Sequence, residues 1–204
     1  MRSTRVIILV ECALAVALAV VLNLIAIRLP INIAGGSISL TMLPVALVAL
    51  RRGPVAGMAT GFLFGLFDYL IEPFMVHWAQ VILDYPLPYI LFGLGVGMFS
   101  HLYTRAIDLT KQDVLGKTLS RGTLIIVVSM IVGGILRYAS HVLSGVIFFS
   151  EYAGGENVWI YSLVYNVSYL LPSLVASLVL MLVIAPILAH AVPVSRDGGQ
   201  QRSV

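Results

Sequence analysis

The sequence predicts an all-α integral membrane protein: a six-helix transmembrane bundle with N and C termini cytoplasmic and a short helix 2. Three observations predict it. Hydrophobic residues form 60% of the chain and charged residues 10%, and the mean hydropathy of +1.03 lies outside the soluble globular range. Apolar runs of membrane-spanning length follow one another with short breaks between them. Basic residues gather at alternate ends of those runs, as cytoplasmic loops do.

A first helix is predicted over residues 4–27, ended by Arg28-Leu29-Pro30 and a loop containing Gly35-Gly36. Residues 40–50 form an apolar run too short to cross alone, stopped by Arg51-Arg52-Gly53-Pro54. Pro54 suits the first turn of a third helix over 54–70, where a missing N–H costs nothing. Helices over 77–100, 121–148 and 158–189 complete the set, with kinks expected at Pro86, Pro88 and Pro172. Residues 1–192 are expected to form a single membrane domain and 193–204 a polar cytoplasmic tail.

Charge orients the bundle. Arg2 and Arg5, then Arg51 and Arg52, then Arg105, Lys111, Lys117 and Arg121, and finally Arg196 and Arg202 fall at alternate helix ends, which marks those ends as cytoplasmic. The opposite loops carry Glu72, Glu151 and Glu156, with Arg28 as the basic exception. The first apolar run is too long for a signal-peptide core and lacks a small-residue cleavage site, so no cleavage is expected.

The same composition excludes several functions. The 204 residues hold about six spans and leave no room for a nucleotide-binding domain, so an energy source is expected in another chain. Cys12 alone forms no internal disulfide or metal-type cysteine pattern and reads as a helix-packing residue. The net charge of +3 is scattered through loops, so nucleic acid is not an expected partner.

Asp84, Arg137 and His141 interrupt apolar helices, and a charged group at membrane depth marks a functional site by default. At 1.5 Å per residue, Asp84 and His141 each lie ~10 Å below the outer surface, Asn166 at ~12 Å and Arg137, one turn from His141, at ~16 Å. Three helices thus place polar groups at one level in the outer half. Nothing equivalent occupies the cytoplasmic half, which predicts an outward-opening pocket and argues against a polar channel. Phe64, Phe67, Tyr69, Phe74, Trp78, Tyr85, Phe149, Tyr152, Trp159 and Tyr161 surround this level. For Trp78, Trp159 and Tyr152, an interfacial belt and a pocket wall are equally good readings; Tyr85 and Tyr161 read as pocket residues. An acidic group among aromatic faces suits a cationic or heteroaromatic ligand.

Each residue has a plainer reading. Asp84 and Arg137 would make a structural ion pair, His141 a satisfied core histidine, and Asn166 an interhelical bond. Glu11, near the cytoplasmic end of the first helix, is expected to meet a partner or interfacial water. Asp68 and Glu72 fit either an attracting rim or solvated surface charge.

The stretch Arg137-Tyr138-Ala139-Ser140-His141-Val142-Leu143-Ser144-Gly145-Val146-Ile147-Phe148-Phe149-Ser150-Glu151-Tyr152-Ala153, followed by Tyr161-Ser162-Leu163 and Asn166, resembles the thiamine-specific S components of energy-coupling factor (ECF) transporters. Asp84-Tyr85, Leu50-Arg51-Arg52-Gly53 and Glu11 with Ala13 and Ala17 extend the resemblance over most of the chain. It implies high-affinity thiamine binding in an outward pocket capped by the loop after helix one. The implied ligand-binding residues are Asp84, Tyr85, Arg137, His141, Gly145, Phe149, Tyr161 and Asn166. Ala13 and Ala17 are implied as the docking face for a transmembrane coupling protein, which works with two cytosolic ATPases. The chain itself is expected to carry no cofactor; ATP is used by the partners.

Several positions depart from the family pattern. Phe64, Phe74 and Phe149 replace tryptophan or tyrosine, Asp84 replaces glutamate, and Arg137 replaces lysine, mostly keeping the chemistry. In the capping loop Gly35 and Ser39 stand where the family has tryptophan and glutamate, which implies lower thiamine affinity or a shift toward a related pyrimidine or thiazole compound.

Two rivals come from other classes. An intramembrane enzyme would use Asp84 and His141 as an acid-base pair, yet no His-Glu-x-x-His helix, Gly-x-Ser-x-Gly elbow or second carboxylate level with Asp84 is present. A solitary proton-coupled carrier for thiamine or a related cationic heteroaromatic vitamin precursor ranks second. Such carriers show repeated halves around a midplane site, and no repeat is evident.

Overall fold

The structure, a computed structural model, describes residues 2–28, 36–110 and 117–191. Its elements in chain order are α1 (Arg2–Leu24), β1 (Ile27–Arg28), β2 (Ser37–Ile38), α2 (Met42–Arg52), α3 (Pro54–Ile71), α4 (Trp78–Asp84), α5 (Pro86–Gly97), α6 (Ser100–Thr110), α7 (Lys117–Phe148), a 3-10 turn (Ser150–Ala153) and α8 (Val158–Ala191). Among the described residues, five stretches are long and apolar enough to cross a bilayer: Arg5–Leu24, Pro54–Ile71, Trp78–Gly97, Arg121–Phe148 and Val158–Ala185. The remaining predicted helix is α2, whose 11 residues fall short of a span.

Two departures from the sequence expectation shape the site. The first helix stops at Leu24, and a two-residue antiparallel hairpin pairs Ile27 with Ile38 and Arg28 with Ser37. So short a ladder has no periodicity to read in sequence. The predicted helix over 77–100 is broken at Tyr85, whose ψ of −78° ends α4 and starts α5. Pro86 explains the break, because it cannot donate to the preceding turn and restricts the residue before it. Beyond Gly97 the chain turns into α6 and stays helical to Thr110. By contrast α8 runs through Pro172 unbroken.

Helix ends follow local chemistry. The His77 imidazole Nδ1 accepts from the Ala79 N–H at 3.1 Å to open α4. Asn157 Oδ1 accepts from Trp159 and Ile160 N–H at 2.9 and 3.3 Å to open α8. Gly53, at φ +93°, makes the turn between α2 and α3.

The tightest seam joins α3 to α5. A Cβ placed on Gly61 would strike the Tyr89 carbonyl, one on Gly57 or Gly93 would strike the other's backbone, and one on Gly65 would meet Tyr85 and Pro86. Close backbone approach through small residues is how membrane helices gain packing contacts where lipid is as apolar as leucine. Away from this seam, α2 is wrapped on all sides: Met42, Val45, Ala49 and Leu50 are buried against Phe92, Val96, Ile126, Met130 and Met181. Exposed Val, Leu and Ile residues of α1, α7 and α8 face outward, as a lipid-contacting surface does.

At the α2–α3 turn, Arg52 donates from Nε and from Nη2 to the two carboxylate oxygens of Glu11 at 2.6 and 2.7 Å. Glu11 therefore meets this chain's own arginine, a correction to the expectation of a partner or water. The pairing spans 41 residues, and only the docking of α1 on the turn brings it about.

Candidate functional site

At the opposite end of the bundle from Arg52, a cavity of about 300 Å³ opens between α1, α3, α4, α5, α7 and α8. All eight sequence-predicted ligand residues, Asp84, Tyr85, Arg137, His141, Gly145, Phe149, Tyr161 and Asn166, line it. The helical rise predicts Asp84 and His141 at one level, and Asp84 Oδ1 lies 3.5 Å from His141 Nδ1. The break at Tyr85 makes this possible. It ends α4 at Asp84, so the carboxylate comes from a helix end that packs on α7.

The other Asp84 oxygen, Oδ2, accepts from Gln80 Nε2 at 2.7 Å. Asp84 has no ion pair with Arg137 among the described residues, so the structural pair weighed from sequence is not formed. Arg137 instead reaches Tyr89, donating from Nη2 to its hydroxyl at 2.9 Å, with the guanidinium carbon 4.1 Å from the ring centroid. Its Nε and Nη1 are buried without a hydrogen-bond partner among the described residues, as is His141 Nε2. Buried donors are almost always satisfied, so unmatched nitrogens in the wall of a cavity identify groups available to a ligand.

Asn166 does form the interhelical bond of its plainer reading and lines the cavity too. Its Nδ2 donates to His141 O at 3.4 Å and to Ser162 O at 2.9 Å, while Oδ1 accepts from the Tyr169 hydroxyl at 2.7 Å. Gly145 is where α7 and α8 touch: a Cβ there would strike the Ser162 hydroxyl. The Phe149 ring lies nearly parallel to Phe74, 18° apart with centroids at 6.0 Å, and tilted against Tyr152 at 5.8 Å. The Tyr85 ring meets Tyr69 edge-on at 5.1 Å. Tyr161 packs on Tyr165 at 5.7 Å, and Tyr165 on Tyr169 at 6.1 Å. Phe64 is fully buried against Tyr89 and does not reach the cavity. Trp78, Trp159 and Tyr152 are exposed and do not line it either, which leaves the belt reading.

Several lining residues were not singled out. Asn23, Gln80, Tyr89, Tyr165 and Tyr169 all face the cavity. Asp68, read as rim or solvated surface, also lines it and accepts from Asn23 Nδ2 at 2.8 Å, joining α3 to α1. Tyr169 is three residues after Asn166 and Gln80 four before Asp84, spacings that put each on its neighbour's helix face. That signal was present in the sequence.

Residues 36–39, before α2, close one side. Gly36, Ser37 and Ser39 line the cavity, and Gly36, at φ +95°, lies so near the Tyr169 ring that a side chain there would collide with it. Ser39 is buried, its N–H donating to Ser173 Oγ at 3.1 Å and its hydroxyl paired with Thr41 at 2.9 Å. Gly35, the other altered capping position, lies outside the described residues.

Ala13 and Ala17 lie away from the cavity, on the exposed face of α1 beside Val10, Leu14, Leu18 and Val21.

Comparison with known proteins agrees with this architecture. The sequence matches the family described as Thiamine transporter protein (Thia_YuaJ) over residues 9–192. It is 35% identical over 167 residues to the thiamine transporter ThiT of Bacillus subtilis, covering 81% of this chain and 83% of that one. It is 30% identical over 130 residues to ThiT of Lacticaseibacillus paracasei, covering 61% of each. The solved structure of ThiT from Listeria monocytogenes superposes with a TM-score of 0.74 at 30% identity, over 93% of this chain and 96% of the other. These are transporters and not enzymes, and several apolar helices place the chain in a prokaryotic plasma membrane as a multi-pass protein. The chain belongs to the thiamine transporter family.

Proposed function

We propose that this chain binds thiamine in the Asp84 cavity and serves as the substrate-specific subunit of an energy-coupling factor transporter, with the cavity opening outward and both termini in the cytoplasm. The carrying observation is a carboxylate with no arginine or lysine partner among the described residues, set among aromatic rings in a cavity of about 300 Å³. Thiamine is a cation built of two aromatic rings, and such a ligand suits a carboxylate set among aromatic faces. Asp84 faces the positive charge, and His141, Phe149 and Tyr161 flank the rings. Arg137 supplies donors to ring nitrogens or to the hydroxyl arm, Asn166 holds the Tyr169 side of the wall in place, Tyr85 lines the wall, and Gly145 keeps it thin.

Transport then needs partners. A transmembrane coupling protein would dock on the exposed α1 face at Ala13 and Ala17, and two cytosolic ATPases would supply ATP hydrolysis; no cofactor is assigned to this chain. Support comes from the family match and from the small residues one turn apart on an otherwise bulky apolar face.

The test is equilibrium binding by calorimetry or tryptophan quenching with purified protein and no ATP. Saturable binding at submicromolar or tighter Kd is expected. No heat and no quenching sinks the ligand assignment, and tighter binding of an isolated pyrimidine or thiazole compound relocates it. Uptake into vesicles separates the coupled transporter from a solitary carrier: accumulation is expected only with the coupling protein and ATPases, and full accumulation without them overturns the coupling.

A further inference from the structure

Gln80 is buried to 1% exposure in α4 and makes three hydrogen bonds through its amide, using both of its N–H donors. Nε2 donates to Asp84 Oδ2 at 2.7 Å and to Phe74 O at 3.3 Å, while Oε1 accepts from the Val76 N–H at 3.1 Å. One side chain therefore holds both the carboxylate of the site and the loop between α3 and α4. That loop carries Phe74, whose ring lies over Phe149 in the cavity wall.

We propose that Gln80 is a positioning residue for cation capture: it fixes the Asp84 carboxylate without neutralising it, and it ties that carboxylate to the Phe74 loop. The inference rests on the thiamine reading for the ligand's identity.

The chemistry favours an amide here. A lysine or arginine on Asp84 would orient it equally well but would cancel the charge that attracts a cation. A neutral donor orients the carboxylate and leaves its charge in place. With His141 at 3.5 Å from the other oxygen, the carboxylate is bracketed from two sides, so a cationic ligand meets it already aligned and loses little to ordering. The loop has a second tether in the Tyr85 hydroxyl, which donates to Glu72 O at 2.8 Å and accepts from the Phe74 N–H at 3.0 Å. Removing the Gln80 amide should therefore loosen the loop without releasing it.

The test uses the full chain in detergent and the variant Gln80→Met, which keeps length and removes the hydrogen bonds. Two probes are compared: thiamine, and its neutral analogue with carbon in place of the thiazolium nitrogen. The proposal expects thiamine to weaken about tenfold or more, mainly through faster dissociation, and the neutral analogue to change by less than about threefold. Equal losses for both probes mean a packing role and overturn the proposal, as does unchanged thiamine binding. Hydrogen exchange on ligand-free protein reads the loop directly. Val76 and its neighbours should exchange faster in the variant, and unchanged exchange overturns the tether. If Gln80→Met does not fold, Gln80→Asn, which keeps an amide too short to span, must show the same charge-selective loss. Should the unsubstituted chain bind neither probe, the thiamine reading fails, and the exchange result still decides whether Gln80 holds the loop.

Discussion

At the α2–α3 turn, Arg52 and Glu11 satisfy one another through two parallel hydrogen bonds of 2.6 and 2.7 Å. At the other end, Arg137 keeps two buried nitrogens and His141 one without a hydrogen-bond partner among the described residues. Both groupings place charge in apolar helices, yet their chemistry differs. The first is closed, a bidentate pair that fastens α1 to the α2–α3 turn. The second is open, with donors and a carboxylate turned into a cavity. Charge alone in a membrane helix thus does not mark a candidate site; charge beside unmatched hydrogen-bonding groups in a cavity wall does.

The sharpest way to break this contrast is Asp84→Asn, which keeps shape and removes charge. Thiamine affinity should fall about 100-fold, about 2.7 kcal/mol, with the thermal midpoint in detergent nearly unchanged. Unchanged affinity by calorimetry would make the aspartate structural.

Arg52→Met should do the reverse. It strands a partly buried carboxylate and costs about 2 kcal/mol of stability, read as a lower thermal midpoint, while the folded fraction binds thiamine normally. The double variant Arg52→Met with Glu11→Gln should regain most of that loss, since removing both partners leaves no orphan charge. A double variant as unstable as the single one would mean that the arginine stem, and not the pair, holds the turn.

Arg137→Met should weaken thiamine by about tenfold, because the donors lost include the unmatched ones. An equal loss in Tyr89→Phe, which leaves those donors in place, would trace the effect to the Arg137–Tyr89 contact instead. The smallest effect is expected at the outer aromatics: Trp78→Phe should leave Kd within about twofold. A larger loss would bring this exposed ring into the site.

Much of this arrangement was legible in the sequence. The helical rise of 1.5 Å per residue was enough to place Asp84 and His141 at one level on different helices, and they meet. Arg137, His141, Gly145, Phe149, Tyr161 and Asn166 of the motif likewise line the one cavity. Contacts made across long stretches of chain were not legible. Glu11 and Arg52, or Asn23 and Asp68, carry no local pattern that pairs them, because their meeting depends on how α1 docks on α3. The hairpin over Ile27–Arg28 and Ser37–Ile38 was too short for a period, and the break at Tyr85 was foreseen only as a kink. Gln80 is a different case. Its place one turn before Asp84 was visible, but a lone glutamine in an apolar run draws less notice than a charge.

The glycine seam between α3 and α5 acts as a fixed gauge for the cavity. Asp68 rides on α3 and Tyr89 on α5, while Asp84 and Tyr85 stand at the head of α5. With backbone against backbone at Gly57, Gly61, Gly65 and Gly93, no side chain in that seam can change rotamer to widen or narrow the gap. The spacing of these two helices is therefore built into the main chain. Side-chain substitutions on the other walls can reshape the cavity for another ligand, but the α3–α5 distance changes only if a whole helix is set differently.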